Sequence, residues 1–383
     1  MSYQNVGKPR FFIDNYQYLR AMGLDPESYI GDVTYPQHQK TIFNNPTAFT
    51  LDPTLAKAFV NENDTHYMKF HIPMGNQVQH MDFSGNMKWY TAVLNHDFGS
   101  KGINLQNSMF MGDIGSTAEF NDVDGNPTTI MNLESGGLCS DGTSIFYTDD
   151  NPSSDVFVNE VLISSRKYSG FQITTFDTDD YLTEVNIGAI SQGVMYTMPH
   201  SPDLKLKTTI DNAGYNSITT SGGASLTNIN YTGVPNWVNK GSFINPFGVG
   251  SYSENTYLDG AKRSGRRSWN LKFNYLSDND IFSSNYMKNN YLELDGNTSD
   301  YSDNDDFNTE GNEFEYNMFT DDSFVAQVWN KTLGGALPFI FQPDSANNQP
   351  DQFFLAKFDQ QSLVISQQAY KSYSISVNIS EIW

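Results

Sequence analysis

Histidine and cysteine are the side chains of this sequence best suited to binding a metal or acting as a nucleophile. His66 and His71 stand five positions apart, so a strand would direct them to opposite faces rather than toward one shared metal ion. Scattered polar histidines are the alternative explanation. Cys139 has no neighbouring base in the sequence, which favours an inert thiol. We therefore expect no metal site among these residues.

Carboxylates are concentrated between residues 295 and 316, among Asn, Ser and Gly. Several oxygens in one loop could bind calcium, but the stretch lacks the DxDxDG spacing that places oxygens at fixed positions. Such a polar stretch buries too little apolar surface to order itself, so a solvated acidic loop is the favoured interpretation. The carboxylates are Asp295, Asp300, Asp303, Asp305, Asp306, Glu310, Glu313 and Glu315.

One dense basic cluster stands out, at Lys262, Arg263, Arg266 and Arg267. It could touch nucleic acid or pair with an acidic neighbouring subunit. Because the chain as a whole is strongly acidic, we favour ion pairing between subunits, where complementary charges set the register of partners. Arg263, Arg266 and Arg267 are the predicted subunit-interface residues.

Aromatic side chains could form a sugar site, because aromatic faces stack on sugar rings. The candidates for glycan contact are Trp89, Tyr90, His96 and Tyr147. The alternative is that these side chains form the core and rim of a β-sandwich.

Sequence motifs of several common enzyme classes are missing. There is no GxxxxGK[ST] loop, no HExxH pair, no GxSxG elbow, and no third glycine after Gly248 and Gly250 to complete a dinucleotide fingerprint. A polysaccharide depolymerase would need a carboxylate pair in a cleft, and the sequence offers no way to pair its many Asp and Glu residues. The prediction is a protein without catalytic residues, cofactor or bound metal.

The composition indicates a β-rich fold in more than one domain. The chain has 383 residues, of which 14% are aromatic and only 17% are charged. Aromatic residues fit half-buried sheet faces, whereas helical bundles favour Glu, Lys and Ala. At roughly 100–200 residues per domain, this length suggests two or three domains.

The charge balance disfavours a role in wrapping DNA. Membrane insertion is not expected either. Acidic residues number 44 and basic residues 22, so the formal net charge is −22, the wrong sign for neutralising phosphates. This charge suits solubility or a channel through which DNA slides. No apolar run approaches a membrane span, and the first residues lack the apolar region of a secretory signal. One cysteine allows no internal disulfide, so synthesis in a cytoplasm is expected.

Local patterns predict the elements of the first 200 residues. Residues 11–13 read as a short strand, Asp14 as the cap of a short helix, and Gly23 as its end. Residues 25–60 contain four prolines and resemble an irregular arm. Between residues 61 and 200, short apolar runs separated by turn residues predict strands, at 87–94, 155–163 and 171–176. A proline-containing linker at 198–203 suggests a domain boundary.

The last 180 residues carry the clearest periodic signals. A strand is predicted at 204–207, another with Trp269, Leu271, Phe273 and Tyr275 on one buried face, and another at 337–341. An α-helix is predicted to begin at Thr320 and to end before Gly334 and Gly335, with a stripe of Phe324, Val325, Val328 and Trp329. A final strand alternates Tyr373, Ile375, Val377 and Ile379 with polar residues. Trp269, Phe324, Trp329 and Phe339 are predicted core residues.

Two segments carry a resemblance to known families. Residues 86–98 resemble a stretch of galactose-binding-like jelly rolls, with Asp97 where that stretch commonly has Asn. Residues 264–271 and 331–344 are similar to structural proteins of marine tailed phages. The order of elements also resembles the tail-tube and distal-tail family, in which a β-sandwich flanked by one helix forms rings. The resemblance covers residues 61–383 and implies a hexameric ring without catalytic residues.

These observations combine into one prediction. The chain is mainly β, with an arm at 1–60, a jelly roll at 61–200 and a tail-tube-like sandwich at 201–383 that is flanked by a single α-helix. It is a non-enzymatic component of a phage tail, a distal-tail or baseplate ring that links the tube to host-recognition parts. Its partners are further copies, other tail proteins and a host glycan, within a virion assembled in the host cytoplasm. The alternative is a carbohydrate-binding tail fibre or a capsid decoration protein.

Overall fold

The fold is mainly β, as predicted, and every strand pairing among the described residues is antiparallel. The structure is a computed structural model. It describes residues 7–23, 51, 57–60, 67–73, 87–98, 103–110, 133–135, 142–148, 157–158, 161–162, 168–175, 184–204, 206–211, 215–229, 266–282, 323–347 and 352–382.

Eleven strands form one large sheet. Along the chain they are β1 (Arg10–Asp14), β4 (Met87–His96), β6 (Leu133–Ser135), β7 (Gly142–Thr148), β12 (Ala189–Thr197), β13 (Lys207–Asp211), β16 (Arg266–Leu276), β17 (Phe339–Gln342), β18 (Phe354–Phe358), β19 (Ile365–Ala369) and β20 (Ser372–Glu381). Their order across the sheet is β13-β16-β20-β18-β17-β1-β12-β4-β7-β6, and β19 pairs with β20.

The remaining described strands form four small sheets. These pair β2 (Lys57–Val60) with β11 (Glu184–Ile187), β8 (Phe157–Val158) with β9 (Val161–Leu162), β14 (Tyr215–Thr219) with β15 (Ser225–Ile229), and β10 (Tyr168–Thr175) with both β3 (Tyr67–Pro73) and β5 (Ile103–Phe110). The strands predicted at 87–94 and 171–176 are β4 and β10, and the run predicted at 155–163 contains the short hairpin of β8 and β9.

The large sheet joins strands from both predicted domains. β1 lies between β12 of the first predicted domain and β17 of the second; it pairs with β12 along its whole length and with β17 through Arg10, Phe11 and Phe12. The described strands therefore do not themselves mark a boundary near residue 200. The division into a jelly roll and a tail-tube-like sandwich stays a prediction.

The first helix, α1 (Asn15–Ala21), confirms the predicted cap. The Asp14 carboxylate accepts hydrogen bonds from the backbone N–H of Tyr16 at 2.7 Å and of Gln17 at 3.2 Å. These N–H groups have no partner within the helix, so the cap stabilises it. Gly23 follows with φ of 79°, the left-handed conformation that favours glycine at a helix end.

The predicted α-helix near residue 320 is instead a π-helical segment, Val325–Asn330. The sequence could not distinguish the two forms, because apolar residues spaced by four and five positions align on a turn of either helix. Phe324 and Val328 are buried and Trp329 packs beside them, so the predicted stripe is confirmed. Thr320 lies outside the described residues.

Left-handed glycines follow this segment, with φ of 65° at Gly334 and 94° at Gly335, so the predicted stop is confirmed. The sequence also missed a second short helix in this half, α2 (Asp278–Ile281), which begins at a capping box. The Ser277 hydroxyl accepts the Asp280 N–H, and the Asp280 carboxylate accepts the Ser277 N–H at 2.8 Å. Four residues are too few to show a helical apolar period.

Among the described residues, two main clusters of buried side chains form the core. The larger one centres on Phe11, with the rings of Phe324, Phe339, Phe341 and Phe358 at centroid distances between 5.2 and 6.0 Å. The second contains Phe12, Tyr90, Phe353 and Met195. Successive residues of a strand face opposite sides, so the large sheet is covered on both faces around β1 and β12.

Strand β16 departs from the predicted alternation at one position. Trp269, Leu271 and Phe273 are buried as predicted, but Tyr275 is 83% exposed and Leu276 takes the inward position. A β-bulge shifts the register between Phe273 and Leu276, and Tyr275 adopts φ of 64° there. One extra residue in a bulge reverses the faces of the residues that follow. The prediction that Tyr275 shares the buried face is therefore wrong.

The strand predicted at 204–207 begins later. Leu204 lies in a turn with 82% of its surface exposed, and β13 runs from Lys207 to Asp211. The remaining late strands are confirmed at β17, which starts directly after Pro338, and at β20, where Ile375, Val377 and Ile379 are buried.

Candidate functional site

Two of the four predicted glycan contacts lie in the protein core. Tyr90 is fully buried in the cluster of Phe12, and His96 is buried with its ring stacked on Phe98 at 4.0 Å. Of the two interpretations that the sequence left open, the structure supports core packing for this pair. Trp89 lies in β4 and Tyr147 in β7, and their side chains are outside the described set.

Tyr90 belongs to a buried polar network that the sequence did not predict. The Ser191 hydroxyl donates to the Asp14 carboxylate at 2.9 Å, and it lies 2.7 Å from the Tyr90 hydroxyl. With Asp14 ionised, Tyr90 donates to Ser191 and Ser191 donates to Asp14. The network ties β4 to β12 and to the junction of β1 and α1.

Burial controls the protonation of this network. It raises the pKa of Asp14 from 3.8 to about 7, although the hydrogen bonds from Ser191, Gln17 and Tyr16 oppose the rise. Burial also raises the pKa of Tyr90 well above its usual range, and the neighbouring Asp14 charge adds to this effect. A serine beside a carboxylate resembles part of a nucleophilic site. Here Asp14, Ser191 and Tyr90 are all buried, so the arrangement fits a structural network.

Lys331 is a second buried ionisable group. Its amine donates to the Gln327 side-chain carbonyl at 2.6 Å, and burial lowers its pKa from 10.5 to about 7. Lys331 follows the π-helical segment and Gln327 lies within it, one turn apart, which is the spacing at which helical side chains meet. Neither residue stood out in the sequence, because an isolated Lys or Gln carries no signal of burial.

The predicted interface arginines have different environments. Arg266 is exposed at the start of β16, directly opposite Asp211 of β13. Arg267 is half-buried, its guanidinium lies 5.2 Å from the centre of the Phe354 ring, and its backbone N–H donates to Glu381 at 3.0 Å. Arg266 thus presents its charge at the surface, whereas Arg267 packs within the chain. Arg263 lies outside the described residues.

Other predicted features also fall outside the described structure. These are the acidic loop at 295–316, His66 and Cys139; His71 lies in β3, and its side chain is outside the described set. Within the described ranges, no group of three or more His, Cys, Asp or Glu residues could hold a metal ion. The described helices are also all too short or too polar to cross a membrane.

Two strand edges stand out on the described surface, one at β13 and one at the hairpin of β14 and β15. β13 ends the large sheet, pairs with β16 on one side, and all five of its residues are exposed. The two-stranded sheet of β14 and β15 has no further strand among the described residues, and it exposes Ile218 and Leu226 by 61% and 62%. Two strongly exposed tyrosines, Tyr275 and Tyr370, lie elsewhere.

Comparison with known proteins adds no relative. A scan against protein-family models, a search of curated proteins and a search of solved structures each find no match.

Proposed function

We propose that this chain is a non-enzymatic structural protein that assembles with further copies of itself, as a distal-tail or baseplate ring of a tailed phage. The observation that carries the proposal is the edge of the large sheet at β13, which pairs with β16 alone among the described strands. An unpaired strand edge presents main-chain donors and acceptors that another chain can satisfy. The placement in a tail rests on the sequence resemblance of residues 264–271 and 331–344.

The packing around the centre of the large sheet also supports the proposal. Strands β1 and β12 are buried on both faces, and an aromatic cluster joins them to the π-helical segment. Aromatic side chains bury large areas and pack with defined geometry. Such a sheet can hold its edge strand in one position, which a repeated subunit contact requires.

Charges near this edge support a specific contact. Lys207 and Asp211 lie at the two ends of β13, and Arg266 lies opposite Asp211 on β16. Against a chain with net charge −22, an exposed arginine offers an acidic neighbour an attractive contact. This is the role that the sequence predicted for Arg266.

The mass of the purified protein in solution, measured by light scattering after size exclusion, tests the proposal together with negative-stain images. A closed ring, six-fold or a multiple of six, is the expected result. Ile210→Lys, which places a charge in the middle of β13, should reduce the assembled fraction. Leu204→Lys is the matched control, because Leu204 is also apolar and exposed but precedes the strand. A protein that stays monomeric at every concentration would overturn the proposal.

A carbohydrate-binding fibre or decoration protein is the second candidate, and exposed tyrosines favour it. Tyr275 and Tyr370 expose 83% and 85% of their surfaces, as sugar-stacking aromatics must. The test is a host-glycan array with wild type, Tyr275→Ala, Tyr370→Ala and, as a control, Val364→Ala. Binding lost only in a tyrosine variant, with a compact trimer in solution, would favour this function over the ring. The absence of any glycan binding would remove it.

A further inference from the structure

The hairpin of β14 and β15 is a well-defined element, and no third strand pairs with it among the described residues. Thr219 lies opposite Ser225, Ile218 opposite Leu226, and the register continues without a bulge to Tyr215. The tip is closed by a hydrogen bond from the Thr220 N–H to the Ala224 carbonyl at 2.8 Å. Residues 216–219 and 221–228 are all exposed.

Such a hairpin is marginally stable by itself, because two strands without a covered face bury little apolar surface. Ile218 and Leu226 lie directly opposite each other and both point into solvent. In the part of the chain that the structure describes, the outer edge of each strand pairs with no other strand, so its N–H and C=O groups are available to one. Another β-strand that joins the hairpin would pair with these backbone groups and would help to cover the exposed apolar side chains.

The distribution of charge indicates which protein supplies the strand that joins the hairpin. The chain carries a net charge of −22, yet no charged residue occurs from residue 212 to residue 239. Two copies repel each other wherever acidic surfaces meet, and this repulsion is weakest at a neutral surface. A basic partner protein would instead be attracted to the acidic surface and would gain nothing from a neutral hairpin.

The side chains of the hairpin are complementary to copies of themselves. Asn216 lies opposite Asn228, and Ser217 lies opposite Thr227. Hydroxyl and amide groups both donate and accept hydrogen bonds, so identical surfaces can satisfy each other. The hairpin also lacks the devices that usually protect an edge, namely charged residues, proline or a bulge. β13, by contrast, carries Lys207 and Asp211.

We infer that the hairpin Tyr215–Ile229 is a self-association element, in which its strand edges pair with the same hairpin of a second copy. This inference rests on the proposed assembly function and names a second surface, besides the β13 edge, through which copies meet. The hairpin then acts alongside the edge at β13, where Lys207, Asp211 and Arg266 can contact an acidic neighbouring copy.

The experiment adds two like charges to the hairpin. Asn216→Glu with Thr227→Glu places a negative charge on each strand at positions that do not face each other. Copies of this variant should associate at least about tenfold more weakly, about 1.4 kcal/mol, by light scattering over a concentration series. The matched control is Gln361→Glu with Gln367→Glu, which adds the same charge at exposed positions outside the hairpin and should associate like wild type.

Amide hydrogen exchange of wild type provides a readout that needs no variant. The amides of residues 215–229 should become more protected as concentration rises. Two results together would overturn the inference: hairpin exchange that does not depend on concentration, and unchanged association of the variant with Asn216→Glu and Thr227→Glu. Assembly through another surface would then still be possible. A wild type that remains monomeric throughout would overturn both the inference and the proposed assembly.

Discussion

Phe11 and Phe12 are consecutive residues of β1, and their rings lie in two separate hydrophobic clusters on opposite faces of the large sheet. Phe11 contacts the rings of Phe324 and Phe341, whereas Phe12 contacts Tyr90 and Phe353. A strand of five residues near the chain start therefore supports both cores at once, and it does so between strands that are distant in sequence.

Truncation of either ring should destabilise the protein strongly. Phe11→Ala and Phe12→Ala should each lower the free energy of unfolding by about 3–5 kcal/mol, because each leaves a cavity in a packed cluster. Urea unfolding measures both values. Val364→Ala is the exposed control and should change stability by less than about 0.5 kcal/mol. A small effect at Phe12 alone would show that the second cluster contributes little.

Asp14→Asn should remove a pH dependence of stability. The folded-state pKa of Asp14 is about 7 against an ordinary value of 3.8. Between these values the folded chain holds a proton that the unfolded chain releases, so this group makes stability fall as pH rises from about 4 to about 7. Asparagine keeps the cap and cannot ionise.

Denaturant unfolding of wild type and Asp14→Asn at pH 4 and pH 8 measures this effect. The variant should lose less stability than wild type between the two pH values. Asp14→Ala serves as the comparison, because it removes the cap and the acceptor for Ser191 and should be destabilised at both. Identical pH profiles for wild type and Asp14→Asn would contradict the raised pKa.

Lys331→Met should change how stability depends on pH above about pH 7. The folded-state pKa of Lys331 is about 7 against 10.5, so in this window the unfolded chain binds the proton. The contribution of Lys331 to stability therefore rises as pH increases from about 7 to about 10.5 and is lost as pH falls through 7. The methionine variant should lack this rise. Lys272→Met, at an exposed position of β16, should retain it in thermal unfolding at pH 7 and pH 9.5.

Gly193→Ala should disrupt the pairing of β1 with β12. A methyl group at Gly193 would collide with the Ile13 carbonyl oxygen and would lie 2.8 Å from the Asn15 nitrogen. Both are backbone atoms that cannot move aside, so we expect a loss of about 1–3 kcal/mol or more in unfolding free energy. Gly222→Ala is the matched control, since no atom lies within 4 Å of the added carbon. Equal stability of the two variants would show that β1 shifts freely.

Local sequence patterns were sufficient to predict several strands and a helix cap. The alternation of Ile375, Val377 and Ile379 with polar residues predicts a strand with one wet face, and Asp14 predicts a helix cap. Each signal lies within a few residues, where backbone geometry alone relates side chains to faces and to free N–H groups. The mainly β class follows from many such segments.

The candidate sites depended on information that no local pattern contains. The sequence could not tell whether Tyr90 faces a sugar or the core, because its burial is set by β12, which lies about a hundred residues away and contributes Ser191. Arg266 and Arg267 are adjacent and chemically identical, but Arg266 is exposed, whereas Arg267 is half-buried with its guanidinium over the Phe354 ring.

The sequence alone therefore determined the secondary-structure class, the cap at Asp14 and the inward faces of most late strands. The tertiary structure decided that β1 joins strands from both halves, that Tyr275 turns outward at a bulge, and that Asp14 and Lys331 titrate near neutral pH. The physical reason is that burial and strand pairing arise from residues far apart in the chain, and desolvation changes a pKa only once those residues have closed around the group.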